Sequence, residues 1–208
     1  MAATKKTFAI KKIHSLLGVI PLGFFLIEHF IANATILFGV DTFKAVVNFL
    51  ESIPFIWVLE WTIIFIPLLI HGIIGVYFSL QAKHNVNRYS YASNIFFTLQ
   101  RFTGLFLFVF LIYHIYSVKV QHIMTGIPYS TILHSHFSNP IIFILYLVFI
   151  ISASFHLMNG LYGFAINWGI AKGERFQKVF QGITFVLFAA FSGLWFLVML
   201  GFLGIVQL

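Results

Sequence analysis

No cysteine occurs in these 208 residues. That absence excludes disulfides, thiolate metal centres, iron–sulfur clusters and covalent haem attachment through a Cys-x-x-Cys-His motif. Charge is also scarce, at 8% of residues, and only five side chains are acidic. A small-ion site built on carboxylates therefore has little to draw on, since only Glu28 and Glu60 lie near or within apolar runs. Hydrophobic residues make up 61% of the chain and the mean hydropathy is +1.01, a composition outside the soluble globular range. The chain reads as an all-α integral membrane protein. A net charge of +7 alone would suit nucleic acid, but the basic residues sit in loops between apolar runs and serve as orientation signals, so no nucleic-acid partner is expected.

Five apolar segments are expected to span the bilayer, at about 13–40, 55–81, 95–118, 140–168 and 179–206, within a single domain covering 1–208. Each exceeds the roughly 20 residues that a ~30 Å hydrocarbon layer requires. The basic start MAATKKTFAIKK runs directly into the first span with no small-residue cleavage site, so no removable signal is expected. Residues 41–54 read as a short interfacial amphipathic piece, and 83–93, 119–139 and 171–178 as polar loops. Lys5, Lys6, Lys11, Lys12, Lys83, Arg88, Arg101, Lys172, Arg175 and Lys178 fall on one side, and only Lys44 and Lys119 on the other. The positive-inside rule then places the amino terminus in the cytoplasm and the carboxyl terminus outside, in the cell membrane.

Histidine carries the chemistry. His71 lies mid-way along the second span, where an imidazole is costly unless its nitrogens are engaged. It opens a His-x-x-x-Gly-x-Tyr pattern through Gly75 and Tyr77, which recurs at His156 with Gly160 and Tyr162. A second pair of matching runs, FLIEH ending at His29 and FLIYH ending at His114, stands 42 residues ahead of each, and the two copies are offset by 85. Two copies of a two-helix unit put His29 at the depth of His114, nearer the outside, and His71 at the depth of His156, nearer the cytoplasm. Two neutral imidazoles facing one another across a four-helix bundle suit the two axial positions of a b-type haem, and two such sites stacked across the membrane form an electron path. Interhelical hydrogen bonding, a zinc or other transition-metal site, and a proton or metal transporter with histidine relays are the alternatives. His84, His122, His134 and His136 fall off this lattice and receive no role, and the fifth span is expected to serve packing alone.

Several stretches together carry a family resemblance: IHSLLGVIP (13–21), FLIEH, FLIYH, LEWTIIFIPLLIHGIIGVY, LQRFTG (99–104) and FHLMNGLYGFAINWG. They resemble the cytochrome b558 type of membrane anchor in the succinate dehydrogenase and fumarate reductase family, a single polypeptide with five helices and two haems. The resemblance covers nearly the whole chain. It implies that His29, His71, His114 and His156 are axial ligands of two haem b groups. It implies, too, that a quinone, often menaquinone, exchanges electrons near the external haem, and that the cytoplasmic face docks an iron–sulfur subunit bearing a flavoprotein. His14 and Ser15 then fall near the propionates of the cytoplasmic-side haem, and Arg101 adds charge-assisted contacts there. Glu60, at the outer mouth of the second span, becomes a candidate proton relay for the quinone. Nothing in the short loops is fit to bind a flavin, so the chain alone is not expected to oxidise succinate. Another di-haem cytochrome b, serving a different dehydrogenase, shares all these features.

Overall fold

A computed structural model describes residues 5–82 and 85–208, with Lys6 described by its backbone only; Lys83 and His84 lie outside the described residues. Among the described residues there are helices and no strands. Five of them, Thr7–Phe38, Ile56–Leu80, Ala92–Thr125, Pro140–Asn167 and Glu174–Phe202, are 25 to 34 residues long and apolar enough to cross a membrane. A helix satisfies its own backbone donors and acceptors, so it is one of the few structures that survive in hydrocarbon. The chain is a multi-pass membrane protein.

The first crossing is α1 (Lys5–Val19) followed by α2 (Pro21–Ala34), with a tight 3₁₀ turn over Thr35–Phe38. Pro21 has no N–H to donate, and the break falls at Ile20, just before it. Next comes α3 (Val40–Glu51), lying between crossings, where the sequence predicted an interfacial piece. The second crossing begins as α4 (Ile56–Leu59), widens into a π-helical turn over Glu60–Phe65 and continues as α5 (Ile66–Leu80). The third is α6 (Ala92–His114), a π-helical turn over Ile115–Val120 and α7 (Gln121–Thr125), which stops at Gly126 in the left-handed conformation (φ 69°). A short α8 (Tyr129–Ser138) leads into α9 (Pro140–Asn167), whose start is well specified. Asn139 accepts hydrogen bonds from the Ile141 and Ile142 amides at 3.0 and 3.2 Å, and Pro140 occupies the first turn. The last crossing is α10 (Glu174–Phe202).

The stretch 119–139, expected as a polar loop, is mostly helical. Lys119 does not end the third crossing because Glu60 pairs with its charge, and α8 folds Ile132, Leu133 and Phe137 onto the bundle. The helices around α1, α5, α6 and α9 close a ring, each packed on the next, and α10 leans on α9 from outside. The buried core, including Phe110, Tyr146, Val198, Met199 and Phe202, is concentrated where α8 and α10 cover that ring. Elsewhere large apolar side chains face outward, Val109 at 68% and Ile141 at 72% exposure among them, as a lipid-facing surface requires.

Candidate functional site

Two imidazole pairs occupy the bundle at two levels. His71 on α5 and His156 on α9 have ring centroids 6.2 Å apart with planes at 89°. The N–H at Nδ1 of His71 points to the carbonyl of His14 at 2.9 Å, and that of His156 to the carbonyl of Gln100 at 3.1 Å. Each imidazole also lies over a glycine four residues further along the same neighbouring helix. A β-carbon at Gly18 would stand 2.5 Å from Cε1 of His71, and one at Gly104 would stand 2.9 Å from Cε1 of His156. Both Nδ1 atoms have a backbone carbonyl as nearest partner, with the Gln100 side-chain amide at 3.2 Å and the Thr103 hydroxyl at 3.4 Å also beside that of His156, and donation to the carbonyl leaves Nε2 of each ring to take a partner. Around them, Gln100 is held by the Asn159 amide at 2.7 Å, and the His14 ring stacks on His71 at 4.0 Å with its own Nδ1 buried and unbonded. Ser15 receives the Trp168 indole N–H at 3.1 Å and donates to the Lys12 carbonyl at 3.0 Å, clasping α1 to the end of α9. Arg101 donates to the Phe97 carbonyl at 2.7 Å and covers the Phe97 ring, while its Nε is buried without a partner.

The second pair is His29 on α2 and His114 at the end of α6, with centroids 6.1 Å apart and planes at 85°. His114 Nδ1 meets the hydroxyl of Tyr146 at 3.1 Å. The Asn33 amide stands 3.5 Å from both ring nitrogens of His29 and donates instead to the His29 carbonyl at 2.7 Å, so the His29 ring has no strong partner. Trp195 of α10 lies 5.9 Å from His29. The last helix packs directly against this pair. Gly18 and Gly104 mark the level of the first pair, 11 and 10 residues from His29 and His114 on the same crossings. At 1.5 Å per residue the levels are about 15 Å apart.

Beyond the second pair, the ammonium of Lys119 in one π-helical turn pairs with the carboxylate of Glu60 in the other. Wide turns of this kind concentrate at functional sites because they re-aim a side chain without ending the helix. His122 stacks on Tyr129 at 3.9 Å, with its Nε2 3.8 Å from the Glu51 carboxylate. Burial, and then Glu51, raises the Tyr129 phenol above its ordinary value, so it stays protonated. Among the described residues no three or more His, Cys, Asp and Glu side chains gather as a small-ion site, and each buried pair is two imidazoles with no carboxylate between them.

Residues 83–194 match the family of succinate dehydrogenase/fumarate reductase transmembrane subunits. Over 187 residues the chain is 37% identical to the succinate dehydrogenase cytochrome b558 subunit of Bacillus subtilis (strain 168), covering 90% of this chain and 93% of that protein. The chain belongs to this transmembrane-subunit family. In this family member the structure brings together His29 with His114 and His71 with His156, the pairs expected from the spacing, and gathers His14 and Ser15 at the end holding the His71–His156 pair, while Arg101, next to Gln100 on α6, turns to Phe97. Glu60 lies at the opposite end. Lys119 as the counter-charge of Glu60, the Gln100 carbonyl as the acceptor for His156 and Tyr146 as the partner of His114 were not singled out from the sequence. For the first pair a signal did exist: His14-x-x-x-Gly18 and Gln100-x-x-x-Gly104 place a carbonyl and a gap one turn apart on each facing helix.

Proposed function

We propose that this transmembrane subunit holds two b haems, one on His71 and His156 and one on His29 and His114, and passes electrons between an iron–sulfur subunit and a membrane quinone. The observation that carries the reading is the spacing of the imidazoles. Two rings bound through nitrogen at about 2 Å to opposite faces of one iron would have centroids about 6 Å apart, close to the 6.1 and 6.2 Å found. Four further features fit the group: Nδ1 atoms held away from the iron position, clearance over Gly18 and Gly104, and unbonded buried nitrogens on His14 and Arg101. These last two suit the acidic edge of a macrocycle at that level. When bound, the haems supply reversible one-electron carriage. The protein's part is to keep the imidazoles neutral, aimed and shielded from water. Membranes containing the assembled complex should give two haem b per polypeptide in a pyridine haemochrome assay and a dithionite-reduced minus oxidised b-type spectrum. One haem or none would defeat the reading.

The basic end, with Lys11, Lys12, Arg101 and Arg175, is assigned to the cytoplasm by the positive-inside rule, and there it docks the iron–sulfur and flavoprotein subunits. The opposite end is assigned to the quinone, menaquinone in the type this chain resembles. Reducing a quinone consumes two protons along with two electrons. Glu60, paired with Lys119 and one step from the polar group of Glu51, His122 and Tyr129, supplies a route for them. Glu60→Gln should therefore slow succinate-driven quinone reduction by on the order of tenfold or more, the scale of a lost proton-transfer group. Succinate-driven dye reduction and both haem spectra should stay as in the parent complex. Unchanged quinone reduction would remove Glu60 from the proton route.

A further inference from the structure

The four bundle histidines are oriented in three ways, and the difference is chemical. In His71 and His156 the nearest partner of Nδ1 is a backbone carbonyl, which no substitution can delete. Among the described residues His29 has no ring-nitrogen partner nearer than 3.5 Å. His114 alone has a side-chain hydroxyl as its nearest partner, that of Tyr146 at 3.1 Å. Tyr146 is 3% exposed and wedged edge-on against Phe110 and Phe137, at 5.3 and 5.2 Å, so its hydroxyl cannot swing away. The polar rings around it are Tyr113 at 6.5 Å and His136 at 6.0 Å, and the Nδ1 of His136 is buried with no partner of its own.

We infer that Tyr146 is a positioning residue for His114: its hydroxyl accepts the Nδ1 proton, aims Nε2 at the partner histidine and, through the imidazole, sets the redox potential at the His29–His114 site. The inference rests on the haem reading above. An imidazole that donates a hydrogen bond is a stronger base toward the metal at its other nitrogen, which favours the oxidised iron. Deleting the acceptor withdraws that support, so the potential of that haem rises.

The test uses the assembled complex in membranes, with Tyr146→Phe compared with Tyr113→Phe. Each removes one hydroxyl from the same aromatic cluster and keeps the ring, but only the first touches His114. Redox titration should show a positive shift of one haem in Tyr146→Phe, the one whose signal His29→Ala removes, with the other haem in place and Tyr113→Phe like the parent. Loss of that one haem in Tyr146→Phe, with its retention in Tyr113→Phe, supports the same placement. No shift, a shift of the other haem, or the same change in both variants overturns it. A parent complex without haem would instead refute the preceding reading, so the two failures are separable.

Discussion

Replacing His114 with alanine is expected to cost the complex one haem and leave the other intact, and His29→Ala should remove the same one. His71→Ala and His156→Ala should each remove the other. The imidazoles are paired across the bundle, α2 to α6 and α5 to α9, with about 15 Å between levels, so no histidine can serve both irons. Under the proposed assignment, each substitution would take away one of the two imidazoles that hold a haem. That haem is then lost, or held in a high-spin state, while the remaining site keeps both imidazoles. The haem count should fall from two per polypeptide to one. Quinone reduction should fail in all four variants while dye reduction by the soluble subunits persists, because on the proposed path electrons reach the quinone through both sites. The ring planes add a spectroscopic signature. At 85° and 89° the paired rings are nearly perpendicular, and a haem iron held by two such imidazoles would give a strongly anisotropic low-spin resonance rather than the rhombic one of parallel rings. Low-temperature electron paramagnetic resonance should therefore show two such signals in the parent and one in each variant. If His29→Ala and His71→Ala erased the same signal, the pairing would be wrong even with two haems present.

Long apolar runs made the five crossings legible, since a window of 20 residues without charge has few fates other than hydrocarbon. The histidine pairs were legible for a related reason: an ionisable group inside such a run needs a partner, and equal spacings supplied the partners. What the sequence concealed was whatever depends on tertiary neutralisation. Lys119 reads as the end of a helix, but Glu60, 59 residues away, absorbs its charge and lets the helix run on to Thr125. Tyr146 and Trp195 look like two more aromatics in a chain with 28 phenylalanines, and only packing shows that one reaches His114 and the other His29. The π-helical turns over Glu60–Phe65 and Ile115–Val120 leave no composition signal at all, because a wider turn is a property of the bond pattern and not of any residue type.

Glycine substitutions should separate the two levels of the bundle from the other direction, by adding an atom rather than removing one. Within a helix, alanine is ordinarily the better residue by about 1 kcal/mol. At Gly163 and Gly182 a β-carbon meets nothing within 4 Å, so alanine there should be neutral or mildly stabilising with both haems retained. At Gly18 the new atom would lie 2.5 Å from Cε1 of His71 and 3.0 Å from its Nδ1, and at Gly104 it would lie 2.9 Å from Cε1 of His156. Those rings cannot yield freely, because the His14 and Gln100 carbonyls hold their Nδ1 atoms at 2.9 and 3.1 Å. Either the imidazole tilts and gives up that bond, or α1 or α6 moves off its neighbour, and overpacking of this kind costs about 1–3 kcal/mol. The clash outweighs the helix gain. Gly18→Ala and Gly104→Ala should therefore both perturb the haem assigned to His71 and His156, lowering its occupancy or moving its resonance, while the His29–His114 signal stays where it was. Larger side chains at the same positions, Gly18→Leu or Gly104→Leu, should abolish that haem outright. Paired difference spectra and haem quantification on the four alanine variants decide the matter: Gly18→Ala and Gly104→Ala with both signals and both potentials unchanged would show that the imidazoles are not seated against those helices.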